Sequence, residues 1–226
     1  MKLRILRKLP TEEGQFWEEF EYSGPADYSV AAMLEDLNYR DDIINSKGEH
    51  VPRISWACSC LQSKCGACAM VINGTPALAC ETFLRDLGSS VTLQPLSKFP
   101  VISDLVVDRS GIQENLLNTS SFIKEYKESP QGEHGHQYTA AKCLKCGLCL
   151  EVCPNYKGGE HFYGALFAND CYLIATRSGV FDDSISEEYK KHFGSGCSKS
   201  FSCMDVCPMN IPTLSSMAKM NRRRSK

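Results

Sequence analysis

The sequence has no apolar run approaching the length of a bilayer-spanning helix. Its N-terminus, MKLRILRKLPTEEG, has neither the apolar segment nor the paired arginines of an export signal, so a cytoplasmic chain is expected. Charge of one sign is scarce as well. The formal net charge is -2, and the only basic run is Arg222 to Arg224 in the tail NRRRSK, which leaves nucleic-acid binding without electrostatic support. That tail is suited to anionic headgroups or simply to solvent. No glycine-rich phosphate loop follows a strand, and there is neither a nucleophile elbow nor a flavin-binding signature, so the chain carries no substrate chemistry of its own. What it has in excess is cysteine: 13 in 226 residues.

Four of these form the run CLKCGLCLEVCP, where Cys143, Cys146, Cys149 and Cys153 stand at C-x2-C-x2-C-x3-C and Pro154 follows. This is an iron-sulfur signature. Three closely spaced thiolates wrap one cubane, and the fourth points away to ligate a different cluster. The arrangement demands a second group further along, and Cys197, Cys203 and Cys207, the last followed by Pro208, supply it. Structural zinc needs four ligands, usually as two separated pairs, so a third cysteine within one run is surplus to it. A disulfide framework fits an odd cysteine count in a long unexported chain poorly.

Taken from the start, Leu3 and Ile5 alternate with charged residues, Thr11 to Gly14 turn the chain, and Phe16, Phe20 and Tyr22 mark a second strand. Asp27 or Ser29 then caps a helix with Val30, Met33, Leu34 and Leu37 on one face. In WACSCLQSKCGACAMVINGTPALAC, Cys60, Cys65 and Cys68 stand at C-x4-C-x2-C and Cys80 lies beyond, the plant-type 2Fe-2S spacing. Gly66 and Ala67 are small enough to let the loop curl so that backbone N–H groups approach sulfur. Asn73-Gly74 is a hairpin turn after a strand at Ala69 to Ile72. It returns the chain so that Leu78 to Cys80 bring back the last ligand, and a strand at Val91 to Leu96 closes the sheet.

The expected fold class is therefore α+β: an N-terminal β-grasp, plant-type 2Fe-2S domain over residues 1–103, then an all-α bacterial-ferredoxin-like domain over 104–226. In the second domain Asn118 to Tyr126 reads as a helix and Ser129 to His136 as a loop. Phe162, Ala165, Leu166 and Leu173 read as a helical stripe, and Pro212 starts a last helix carrying Leu214 and Met217. His134 and His136 lack companions for a metal site. Cys58 misses the required spacing, and Cys58 and Cys171 read as non-ligands. Arg53, just before the loop, reads equally as a charge near the cluster or as solvated surface.

The order of these parts, with FPVISDLVVD between them, resembles the iron-sulfur subunit of succinate dehydrogenase and fumarate reductase over nearly the whole chain. In CSKSFSC the middle position of the second group is Ser200, so one thiolate is missing. Cys153, Cys197 and Cys203 are then expected to hold a 3Fe-4S cluster, and Cys143, Cys146, Cys149 and Cys207 a 4Fe-4S cluster, a crossed pattern that matches the family. The alternative is that Ser200 or water completes a second 4Fe-4S cluster. The resemblance further implies a flavoprotein subunit carrying FAD, membrane-anchor subunits with or without haem b, and a quinone beside the 3Fe-4S cluster. It also implies a location on the inner face of the membrane through that anchor. Oxidation of succinate and reduction of fumarate use the same parts.

At the acceptor end the sequence departs from ubiquinone-linked relatives. Where they carry tryptophan and histidine, it reads Asn155-Tyr156-Lys157-Gly158 and Ser198, and both tryptophans, Trp17 and Trp56, lie in the N-terminal domain. Menaquinone is the expected acceptor, with Lys157, Ser198 and Lys199 nearest to it or on plain surface. The alternatives are a related flavoprotein oxidoreductase with another substrate or a non-quinone partner, and, remotely, a zinc-binding interaction module.

Overall fold

The computed structural model describes residues 1–119, 134–177 and 183–222. The chain divides into two compact units, Met1–Asp108 and Arg109–Lys226.

The first unit is a five-stranded mixed sheet of order β2-β1-β5-β3-β4, from β1 (Lys2–Arg7), β2 (Phe16–Glu21), β3 (Ala69–Ile72), β4 (Thr75–Leu78) and β5 (Ser90–Gln94). Alternation sets the faces of β1: Leu3, Ile5 and Arg7 are buried while Lys2 and Arg4 are exposed. β1 pairs antiparallel with β2 and parallel with β5, Leu3 opposite Val91 and Ile5 opposite Leu93. Helix α1 (Val30–Tyr39) buries Val30, Ala31, Met33, Leu34 and Leu37. Of the two candidate caps Ser29 serves, its Oγ accepting from the Ala32 N–H at 3.1 Å. Asn73 and Gly74 both have positive φ (48° and 79°), as a two-residue hairpin with right-handed strand twist requires, and β3 pairs with β4 directly across them.

A small hairpin, β6 (Val101–Ser103) with β7 (Val106–Val107), completes this unit. The division therefore falls after Asp108, later than the expected 103. The physical reason is Asp104 at the hairpin turn, whose carboxylate is wholly buried and accepts from Arg7 Nε at 2.9 Å, the Lys8 N–H at 3.0 Å and the Ser55 N–H at 2.7 Å.

The second unit is helical: α2 (Ser110–Asn118), α3 (His134–Ala141), α4 (Leu148–Glu151), α5 (Gly164–Arg177), α6 (Asp183–Tyr189), a π-helical turn at Lys190–Gly194, α7 (Ser202–Asp205) and α8 (Thr213–Arg222). Helix α5 is its centre, packed by α3, α4, α6 and α8. Consequently it is buried on more than the one stripe expected: Phe167, Ala168, Cys171 and Tyr172 are the deepest, Leu173 is only partly buried, and Phe162 lies ahead of the helix. Truncating Phe167 to alanine removes about 3–5 kcal/mol. Gly164 opens α5 with φ +76°, and a Cβ there would stand 2.3 Å from Leu150 Cδ2, so any other residue would strain the backbone and displace the Leu150 side chain of α4.

Two boundaries differ from expectation. Helix α2 ends at Asn118, where the expected helix Asn118 to Tyr126 begins, and the remainder of that segment lies outside the described residues. The expected loop Ser129 to His136 gives way to α3 at His134, the residues before it again being outside the description. His136 is held in the helical core, its Nε2 3.2 Å from Ser216 Oγ and its ring edge-on to Tyr172.

Candidate metal centres

In the first unit the segment between Ile54 and Cys68 is tied down before it curls. Arg7 crosses from β1 to donate to the carbonyls of Pro52 (3.0 Å) and Arg53 (3.2 Å) as well as to Asp104 and Glu18, and Asp104 takes the Ser55 N–H. The chain then bends through three left-handed residues, Leu61 (φ 52°), Ser63 (φ 56°) and Gly66 (φ 74°). Successive backbone N–H groups thereby turn to one side, the geometry of an anion-binding nest. Their targets are the sulfurs. Gln62 and Lys64 donate to Cys60 Sγ at 3.3 Å each, Ser63 to Cys80 Sγ at 3.3 Å, and Ala67 to Cys65 Sγ at 3.4 Å. Cys68 and Cys80 bring their sulfurs to 3.4 Å from one another.

These donors have an electrostatic consequence. The N–H groups of Gln62 and Lys64 pull the Cys60 thiol down to about 7, because they stabilise the thiolate. Burial pushes the Cys68 thiol up to about 12. Cys58 is exposed and faces Glu35 Oε1 at 3.9 Å, and burial and that carboxylate raise its thiol. The side chain of Arg53 is exposed, and what the structure uses is its carbonyl.

In the second unit Cys143, Cys146 and Cys149 lie on the approach to α4 and on α4 itself, with Gly147 in the left-handed region (φ 89°) turning the chain into the helix. Burial raises the Cys143 thiol to about 11, and Cys146 likewise rises by burial with Cys207 as its leading thiolate neighbour. Cys149 is pushed well above its ordinary value, first by burial and then by Cys146, Cys143, Cys203 and Cys207. Cys203, on α7, rises to about 11 by burial and then by Cys153 and Cys197. Cys153, Cys197 and Cys203 also line one cavity, together with Ser198, Ser200, Phe162 and Phe193. The Ile211 N–H donates to Cys207 Sγ at 3.4 Å, and Ser198 Oγ donates to Asn155 Oδ1 at 2.6 Å. Cys171 is sealed in the helical core beside Tyr172 and Phe167.

Among the described residues no three His, Cys, Asp or Glu side chains gather closely enough to hold one metal ion. The fit to be tested is that of polynuclear clusters, whose ligands stand further apart. The residues fit such groups. A cradle of N–H groups aimed at three cysteine sulfurs, with a fourth sulfur beside them, and thiols whose burial disfavours ionisation are what iron-sulfur ligation uses.

Comparison with known proteins agrees. Residues 2–114 match the family described as a 2Fe-2S iron-sulfur cluster binding domain. The chain is 31% identical to the succinate dehydrogenase iron-sulfur subunit of Bacillus subtilis (strain 168), over 96% of this chain and 90% of that protein. It belongs to the succinate dehydrogenase and fumarate reductase iron-sulfur subunits. The fumarate reductase iron-sulfur subunit of Haemophilus influenzae is 30% identical, again over 96% of this chain and 90% of the relative. In fold, a chain of the Mycobacterium smegmatis Sdh1 complex in the apo form superposes with a TM-score of 0.76, at 24% identity, covering 98% of this chain and 94% of that one. This iron-sulfur subunit is thus an electron-transport protein of an oxidoreductase family. Among its described residues no helix is long and apolar enough to cross a membrane.

Sequence reasoning found the cysteines and missed their supports. Arg7 and Asp104 fix the approach to the first loop, and Leu61 and Ser63 aim its N–H groups. The signal for Arg7 was present: it continues the Leu3, Ile5 face, so on a strand its side chain must enter the core.

Proposed function

We propose that this subunit relays single electrons between the FAD of a flavoprotein subunit and a quinone, menaquinone, at a membrane anchor. Cys60, Cys65, Cys68 and Cys80 hold a 2Fe-2S cluster, Cys143, Cys146, Cys149 and Cys207 a 4Fe-4S cluster, and Cys153, Cys197 and Cys203 a 3Fe-4S cluster. When bound, these groups supply three one-electron centres. The chain's own residues do the rest. N–H groups of Gln62, Ser63, Lys64 and Ala67 withdraw charge from sulfur, and burial of Cys68 keeps water away, the two protein levers on potential. The β-grasp reading of the first unit is supported by its sheet order, with parallel β1 and β5 side by side and α1 between β2 and β3.

The observation that carries the cluster assignment is the crossed grouping. Cys153, Cys197 and Cys203 line one cavity together with Ser200, which stands in place of a fourth thiol, whereas Cys143, Cys146, Cys149 and Cys207 are not part of it. At the same end Ser198, where ubiquinone-linked relatives carry histidine, is hydrogen-bonded to Asn155, and the stretch Asn155 to Gly158 has no tryptophan where they carry one, which supports menaquinone. Docking is peripheral, on the cytoplasmic face of the membrane, through the anchor subunits.

The test is EPR of the anaerobically purified native complex, oxidised and then after succinate. Oxidised 2Fe-2S and 4Fe-4S clusters are silent and an oxidised 3Fe-4S cluster is paramagnetic. A signal that succinate abolishes is expected. A signal indifferent to succinate points to a flavoprotein with another substrate, and no signal refutes the Ser200 argument.

A further inference from the structure

The run CLKCGLC contains an ion pair that the cysteine chemistry does not require. Lys145 Nζ binds Asp170 Oδ2, joining the loop between two cysteines to helix α5. Asp170 is 7% exposed, and an aspartate so buried needs a partner. Lys145 has φ +52°, a conformation that long side chains rarely adopt. In that conformation its backbone N–H faces the Cys143 sulfur. The pair therefore holds in place a residue whose backbone is strained and whose N–H serves a cluster ligand.

We infer that Asp170, anchored by Lys145, is a positioning residue that sets the reduction potential of the 4Fe-4S cluster held by Cys143, Cys146, Cys149 and Cys207. This rests on the cluster assignment proposed above. Three fixed groups act on the Cys143 side of that site. The Lys145 N–H and ammonium favour added negative charge, and the Asp170 carboxylate opposes it. Their weights differ because their surroundings differ. The carboxylate lies against the helical core with its side chain 10% exposed, while the lysine side chain is 42% exposed and its charge is screened by water. Arg109 contributes a second cation on the Cys146 side, donating from Nη1 to the Cys146 carbonyl at 3.0 Å. The carboxylate is the less screened of the two charges, so Asp170 makes the cluster harder to reduce.

The experiment is an EPR-monitored redox titration of the purified complex with Asp170→Asn, Asp170→Ser and Lys145→Arg. Asparagine keeps the shape and an oxygen acceptor for Lys145 while removing the charge. Through an effective dielectric of about 20, losing one charge a helix diameter away favours electron uptake about tenfold, roughly 59 mV for one electron. Both charge-removing variants are expected to raise the 4Fe-4S midpoint by that order and to leave the 2Fe-2S midpoint in place, and Lys145→Arg to keep the original values. An unchanged or lowered 4Fe-4S midpoint in the Asp170 variants overturns the inference, as does reduced iron content with an unmoved midpoint, the mark of a purely structural role. Absence of any 4Fe-4S signal in the unaltered complex would instead refute the cluster assignment itself.

Discussion

Replacing Arg7 with methionine tests whether the first cysteine loop is held by one buried ion pair. The guanidinium is wholly buried and donates to Asp104 Oδ1 (2.9 Å), Glu18 Oε2 (2.6 Å) and the carbonyls of Pro52 and Arg53 (3.0 and 3.2 Å). Adding four charge-assisted hydrogen bonds at about 1.5–3 kcal/mol each would overstate the loss, because burying the ions has already cost much of that. Breaking a buried pair by removing one partner costs about 3–5 kcal/mol. The lower end applies, since Asp104 keeps the N–H groups of Lys8 and Ser55. For a unit of about 100 residues each kcal/mol moves the transition by roughly 4 °C or more, so the midpoint should fall by about 12 °C. The assay is bleaching of the visible 2Fe-2S absorbance in thermal scans of the complex at one fixed rate, because cluster loss is irreversible. A shift under about 2 °C for Arg7→Met would refute the argument.

In iron-free protein Cys60 should alkylate well before Cys68. Lowering a thiol's pKa raises its thiolate fraction, so labelling by iodoacetamide, read by mass spectrometry, should rise through pH 7 at Cys60 and stay low at Cys68 until the pH nears 12. Equal labelling of the two at pH 8 would contradict the N–H cradle. Gly164→Ala should destabilise the helical unit by more than the ~1 kcal/mol of an ordinary glycine site, because the new methyl meets Leu150 as well as a left-handed backbone. Thermal scans monitored by circular dichroism measure it, and an unchanged midpoint would mean that α4 and α5 can part without cost.

Which features were legible depended on whether their cause was local. Ligand spacing is local, so the cysteines could be found without a fold. Asn73-Gly74 declares its turn because few other pairs accept two positive φ values. Helix α1 shows in its 3.6-residue period and in Ser29. Leu61, Ser63, Lys145, Lys199 and Phe201 are also left-handed, yet nothing in their side chains favours it. They are held there by what surrounds them, and that cannot be read from neighbours in the chain. The same holds for Arg7 with Asp104, separated by 97 residues, and Lys145 with Asp170, separated by 25. Both pairs join a cysteine loop or its approach to an element remote in sequence.

The helical unit shows why the supports matter. Cys149, Cys197 and Cys203 pack against the core built on Tyr172, Phe167 and Phe193, so the ligands are part of the core as well as part of the site. Cys149 in particular has its thiol pushed far up by burial and by four neighbouring cysteines. On the proposed cluster assignment this thiol gives up its proton, and in this environment the positive charge of bound iron offsets the cost. On that assignment, assembly of the clusters and consolidation of this core are coupled, each supplying what the other lacks.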